Sequence, residues 1–314
     1  MKYIIASCVQ EDEVWIPGSK LMKKALGGAG TYAYSGIRIF EENVALLCNV
    51  EKGHFRKHSD WYERNHIETK GMSECLEDDG ATRIVYFSDG SREDMPQAGL
   101  EKKRFRNPTI AQIEQACIEG ENEKNEVKGL YMFRHFDEMY LREVIRLSQK
   151  YGFLTLWELA ADSAARENLP KIAQLCRDIS IFSLNLQEAG MLTGCSEKEE
   201  IMGCLQRENI PCVFLRCGAN GAWMLTPTER YFCPSVPACE VIDTTGAGNA
   251  SSGAVLYGIC EGESLWKAGI MGSAAASCII RQYGPPPVFD GALREEAWKM
   301  AGEIYNEQRR KEYV

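Results

Sequence analysis

From Gly129 onward the chain repeats one pattern, a short apolar run followed by a longer stretch of helical spacing. "GLYMF" (129–133) leads into a helical stretch to Tyr151, "FLTLWEL" (153–159) into one to Arg177, and "ISIFSLN" (179–185) into one from about Leu186. "PCVFLRCG" (211–218), "GAWMLT" (221–226) and "RYFCPSV" (230–236) close the series. Strands that alternate with helices pair through right-handed crossovers, which build a mostly parallel sheet covered by helices on both faces. The fold class expected is therefore α/β. Ligands of such sheets gather at the carboxyl ends of the strands. With 314 residues there is ample core for one domain, read here as spanning 1–314.

The N-terminal part is less regular. Tyr3 to Val9 reads as a buried strand that ends in the acidic "QEDE" (10–13), and "GGAGTYAYSGIRIF" (27–40) as glycines followed by a helix. "NVALLCNV" (43–50) is another strand. "ATRIVYFSDGSREDM" (81–95) is rich in strand formers and carries Asp89-Gly90, a hairpin turn signal, so a small antiparallel element is expected within the main fold. Residues 101–128 are highly charged and read as a solvated helix and loop. The net charge of -9, with basic residues interspersed among acids, argues against nucleic-acid and membrane partners. An odd count of 13 cysteines without a C-x-x-C fits reduced thiols, and the N-terminal apolar stretch is too short for a signal peptide, so the expected location is cytoplasmic.

"EVIDTTGAGNASSGAVLYG" (240–258) passes from an apolar strand end through a glycine turn into a small-residue helix. Backbone N–H groups at a helix start favour an anion. A bare G-x-G is as readily a turn that binds nothing, but Asp243, Thr244 and Thr245 add a carboxylate and hydroxyls at the same place. Asn249 stands where a carboxylate would take a proton from anything held at Gly246-Ala247-Gly248, and an amide cannot do so.

"DTTGAGN" (243–249) and "GGAG" (27–30) together resemble the signature pair of the PfkB, or ribokinase-like, carbohydrate kinases. "CVQEDEVW" (8–15), "NLQE" (185–188) and "CGANGA" (217–222) resemble further motifs of that family, and the agreement runs in order along nearly the whole chain. A divergent branch found in fungi shares "GAGN" and "GTYA", and this chain resembles that branch. The resemblance implies a ribokinase-like fold with a small β lid built from segments near 10–18 and 81–105. It implies ATP-dependent phosphoryl transfer to a hydroxymethyl group of a small sugar or nucleoside.

In that frame Gly246, Ala247 and Gly248 form the catalytic anion hole, and Asp12, Gly27, Gly28 and Tyr32 are the substrate side. Asn185, Glu188, Arg216, Gly218 and Gly221 are the nucleotide side. Glu188 holds Mg2+ through water, and Asp243 and Thr245 hold a monovalent cation such as K+. A homodimer through the lid also follows from the resemblance. In isolation Asp12 reads equally as a loop acid, Asn185 as a turn former and Glu188 as a first-turn charge.

Three positions depart from the family pattern. Asn249 replaces the usual aspartate base, Tyr32 a common substrate-binding asparagine, and Arg216 a common threonine near the nucleotide. Tyr32 would stack on a sugar face or a base, or fill the pocket. Asn249→Asp is expected to raise kcat in an ordinary hydroxymethyl kinase, and Asn249 itself opens an alternative, a sugar- or nucleotide-binding pseudokinase with a regulatory role. There is no G-x-x-x-x-G-K-[ST]. His54, His58, His66 and His135 lack partners at metal-ligand spacing, and His54 and His58 read as exposed residues on one helix face. Trp157-Glu158 ends a strand at the edge where ligands bind, or the Trp simply caps the sheet.

Overall fold

Alternate residues of the apolar runs go to opposite faces of one sheet. Leu130 and Met132 join Ile4, Trp157, Phe182 and Val213 in one core, whereas Tyr131 joins Tyr3, Ile5, Leu156 and Phe214 in another. Strands buried on both faces read as continuous apolar runs, which is what these segments are. The structure, a computed structural model, describes residues 1–15, 22–77, 80–87, 92–96, 105–122, 126–237 and 240–312.

The strands are β1 (Tyr3–Ala6), β2 (Gln10–Trp15), β3 (Met22–Gly27), β4 (Val44–Glu51), β5 (Met72–Leu76), β6 (Thr82–Tyr86) and β7 (Arg92–Pro96). They continue as β8 (Gly129–Arg134), β9 (Leu154–Leu159), β10 (Ile181–Asn185), β11 (Val213–Arg216), β12 (Ala222–Leu225) and β13 (Arg230–Cys233). Among the described residues they form a nine-stranded sheet in the order β13-β12-β11-β10-β9-β8-β1-β4-β5 and a separate four-stranded sheet in the order β3-β2-β6-β7. In the large sheet only β12 and β13 run antiparallel to their neighbours. The fold is the ribokinase-like α/β fold.

The helices are α1 (Ala29–Arg38), α2 (His54–Arg64), α3 (Ile110–Asn122), α4 (Glu138–Tyr151), α5 (Leu169–Cys176), α6 (Leu186–Thr193) and α7 (Lys198–Arg207), then α8 (Ala247–Cys260), α9 (Leu265–Ile279) and α10 (Gly291–Glu312). Side chains of α3 to α7 fill the first core, and those of α1, α2, α8 and α9 the second. Local signals place several ends. Asp137 caps α4 by accepting from Tyr140 N, and Gly152, in the left-handed region, stops it. α1 and α8 approach so closely that a Cβ at Gly36 would collide with the Ala250 carbonyl.

Two sequence expectations change here. "QEDE" is not a strand terminus but lies within the small sheet, because it pairs with strands on both sides, and Asp12 and Glu13, on opposite faces, are buried at 2% and 7% exposure. Glu13 is held there by Lys24 Nζ at 2.9 Å on the neighbouring strand. The expected hairpin is present as the antiparallel pair β6–β7, and Asp89-Gly90 lies outside the described residues, as do 16–18 and 97–104 of the expected lid segments. In the charged 101–128 stretch, α3 buries Ile113, Ala116 and Cys117, and Arg106 is almost wholly buried.

The second revision concerns the histidines. His54 is fully buried and His58 is partly so, because a carboxylate and a guanidinium distant in sequence meet beside them. Glu51 accepts from Arg106 Nη1 at 2.7 Å, lies 3.7 Å from His54 Nδ1, and leaves His54 Nε2 to the Tyr62 hydroxyl at 2.8 Å. His54 therefore has a carboxylate neighbour three residues away, yet no group of side chains fit to hold a metal occurs among the described residues.

Candidate active site

The carboxyl ends of the parallel strands deliver polar side chains side by side. Pairing sets Phe133 beside Glu158 and Asn185 beside Arg216, so Glu158, Asn185 and Arg216 stand together at the edge of β9, β10 and β11. The glycine turn meets that edge at the start of α8, where Gly246 is the N-cap with φ 77, a conformation that L side chains rarely adopt. The first N–H groups of a helix have no intrahelical partner and carry partial positive charge, so the turn is a ready anion cradle. A cleft of about 840 Å³ runs between this turn and the small sheet.

Every residue singled out from sequence at 12, 28, 32, 185, 188, 216, 218, 221 and 245–249 lines that cleft. Asp12 sits on β2 at the small sheet, where Gln10 Nε2 donates to Oδ1 at 2.8 Å and the Gly28 N–H donates to Oδ2 at 3.2 Å. Gly27 does not line the cleft but is required beside it, since a Cβ there would fall on the Asp12 carboxylate. Tyr32 lines the cleft from α1. The ring is 2% exposed, packs with Ala250 and Ile279, and occupies the space that a Cβ on Gly246 would need.

Asn185 and Glu188 form a capping box at the start of α6. Asn185 Oδ1 accepts from the Glu188 N–H at 2.8 Å, and Glu188 Oε2 accepts from the Asn185 N–H at 2.8 Å. The helix-end reading of these residues is thus correct, and the same box faces the cleft. Arg216 lies across the turn, with Nη1 where a Cβ on Gly248 would be, and its Nη2 is 3.7 Å from Glu188 Oε2. Its Nε is buried without a hydrogen-bond partner among the described residues. Gly218 (φ 58) and Gly221 (φ 81) bracket the turn after β11.

Asp243 is 3% exposed, just outside the cleft lining. Its Oδ1 accepts from the Tyr86 hydroxyl at 2.5 Å and the Thr245 N–H at 3.0 Å, whereas Oδ2 is buried with no partner among the described residues. Tyr86 belongs to β6, so the small sheet touches the glycine loop directly. Burial, and after it the charge of Asp243, raises the Tyr86 phenol above its ordinary range and keeps it a donor.

Three groups had no role assigned from sequence. Glu158, 1% exposed, lines the cleft; Tyr131 comes from a strand that reads as an apolar run, and Tyr86 from the segment that reads as one arm of the small hairpin. Asn249 Nδ2 donates to Glu158 Oε1 at 2.9 Å and to the Tyr131 hydroxyl at 3.2 Å. Tyr131 donates to Glu158 Oε2 at 2.8 Å, and burial holds its phenol well above 10.0, the ordinary value. A hydroxyl inside a parallel strand buried on both faces is the sequence signal that Tyr131 offered.

An anion turn at the carboxyl edge of a parallel sheet, with a second small sheet closing the cleft above it, defines the ribokinase-like class of small-molecule kinase folds. The chain belongs to the pfkB family carbohydrate kinases, whose sequence pattern matches residues 26–287. It is 28% identical over 120 residues to a sugar kinase of Archaeoglobus fulgidus described as uncharacterized, covering 38% of this chain and 47% of that protein. The first curated relatives are matched over less than half of their own length. An uncharacterized protein of Schizosaccharomyces pombe is 25% identical over 88% of this chain and 83% of its own. Arabidopsis thaliana ribokinase, solved with ribose and ATP, shares the fold with a TM-score of 0.70 at 16% identity, over 96% of this chain and 98% of that one.

Proposed function

We propose that this chain transfers the γ-phosphoryl group of ATP to a hydroxymethyl oxygen of a small sugar or nucleoside. The observation that carries this reading is the placement of a fixed guanidinium, Arg216, over the glycine turn of the same cleft that Asp12 enters from the other side. Phosphoryl transfer needs charge neutralisation and in-line positioning more than covalent help. The turn at 246–248 and Arg216 offer the first, and Asp12 with Asn249 the second. As the acceptor oxygen bonds to the γ-phosphorus, the bond to the bridging oxygen breaks and ADP leaves. Asn249 orients the hydroxyl, and the proton passes to an oxygen of the transferred group. The ribose and ATP bound in the Arabidopsis ribokinase support this substrate class for a chain of the same fold.

The side chains suit the ions that such a reaction uses. Glu188 presents hard carboxylate oxygen at the cleft wall, the donor type that Mg2+ takes through its water shell, and the ion would screen phosphate charge. The orphaned, buried Asp243 Oδ2 beside Thr245 suits a monovalent cation such as K+. The small sheet is proposed to act as a lid, and a homodimer through it is part of the same reading. No described helix is long and apolar enough to cross a membrane, and the described cysteines are free thiols, which fits a cytoplasmic site of action. Asn249 favours a second reading, a pseudokinase that binds the same ligands without turnover.

A thermal-shift panel of sugars and nucleosides, with and without ATP and Mg2+, tests the proposal without assuming turnover. Mg-ATP is expected to raise Tm and the true acceptor to raise it further. No shift with any nucleotide contradicts both readings.

A further inference from the structure

The proposed transfer leaves the buried carboxylate of Glu158 without a task. Its oxygens organise side chains from three other elements. Oε1 accepts from Asn249 Nδ2 of α8 at 2.9 Å and forms an ion pair with Arg216 Nη1 of β11, also 2.9 Å away, and Oε2 accepts from the Tyr131 hydroxyl of β8 at 2.8 Å. Tyr131 oxygen in turn accepts from Asn249 Nδ2 at 3.2 Å.

An asparagine side chain turned over exchanges donor for acceptor. At position 249 that turn would set Oδ1 against a carboxylate oxygen and break both bonds from Nδ2, one of them charge-assisted. The NH2 group therefore stays toward Glu158, and the carbonyl oxygen is the atom left for a ligand in the cleft that Asn249 lines. The same Oε1 draws the Arg216 guanidinium across Gly248. Without Glu158, the remaining ion-pair partner of Arg216 among the described residues is Glu188, 3.7 Å away.

We infer that Glu158 is a positioning residue of the phosphoryl-transfer site, fixing Asn249 as a hydrogen-bond acceptor for the substrate hydroxyl and Arg216 as a cation over the anion turn. The inference rests on the kinase reading and deepens it. It reverses what the sequence suggests for Asn249→Asp. A second carboxylate would stand where Nδ2 now lies 2.9 Å from Glu158 Oε1, and two carboxylates that close resist joint ionisation. The amide at 249 and the carboxylate at 158 act as one unit, so moving the charge requires exchanging both.

The test is calorimetric titration of Mg-ATP into the unaltered chain, Glu158→Gln, Asn249→Asp and the double variant. Each single change is expected to weaken binding about tenfold, the first by releasing Arg216 and the second by setting two carboxylates against each other and so loosening the same hold on Arg216. The double variant relieves that repulsion but still lacks the Glu158 carboxylate, and its loss is expected to be no greater than that of Glu158→Gln alone. Additive losses, with the double variant weaker than either single one, overturn the inference and leave the kinase reading standing. Failure of the unaltered chain to bind Mg-ATP overturns both. Should Glu158→Gln not fold, Glu158→Asp replaces it, keeping the charge but withdrawing it by one methylene. A loss of about threefold or more is then expected, and unchanged affinity overturns the inference.

Discussion

At the scale of single residues, the glycine turn is where substitution is most informative. In Gly248→Val the new side chain would meet the Arg216 guanidinium and fill the cradle, so the Mg-ATP thermal shift is expected to vanish while the ligand-free protein still folds. An undiminished shift would place the anion site elsewhere. Asp12, Asn185 and Glu188 were singled out together because their motifs occur in order, and Arg216 by its place before "CGANGA"; all four line one cleft. Glu158 was not legible in its role, since that role depends on which strands are neighbours: Tyr131, Arg216 and Asn249 lie far from it in sequence. His54 was misread for the same reason. The ion pair of Glu51 and Arg106 that accompanies its burial joins residues 55 apart.

At the scale of elements, the joint between the small sheet and the glycine loop is the Tyr86 hydroxyl on Asp243, Thr244 and Thr245. Tyr86→Phe is expected to speed hydrogen exchange in β2 and β6 with little change in Tm, and exchange as slow as in the unaltered chain would show that other contacts hold the sheet. β2 falls in the 10–18 segment expected for the small sheet, but its carboxylates look like the end of the preceding strand until their cross-strand partners are known. α2 gives a pH prediction. Burial first, then the nearby His54, lowers the His58 pKa from 6.5 to about 4. Its folded pKa lies below its unfolded one, so the unfolded chain takes up the proton first, and stability falls as pH drops from 6.5 toward about 4. Glu51 adds to the loss in more acid solution. Burial opposes its ionisation, but the neighbouring His54 and the bond from Arg106 outweigh that and hold its carboxyl below 4.5. Denaturant titrations across this range should show a shallower acid slope for His58→Gln, and an identical slope would remove His58 from the explanation.

At the scale of the whole molecule, the alternation of apolar runs and helical spacing made the parallel sheet legible, and the order of motifs made the family legible. The small sheet and the strands at 221–226 and 230–236 were expected, but the antiparallel direction of the edge strands and the place of β3 in the four-stranded sheet needed the pairings themselves, because short strands with polar faces carry little periodic signal. Mg-ATP at a hundredfold excess over its Kd is expected to stabilise the chain by about 2.7 kcal/mol, as any ligand of the folded state alone would. Stabilisation does not separate a kinase from a binding protein; transfer does. The direct measurement is incubation of the chain with Mg2+, ATP isotopically labelled in its γ-phosphoryl group, and each sugar or nucleoside that shifts Tm. The expected result is labelled phosphoester on one acceptor with ADP released in equal amount. Binding of both Mg-ATP and acceptor with the label left on ATP would contradict it.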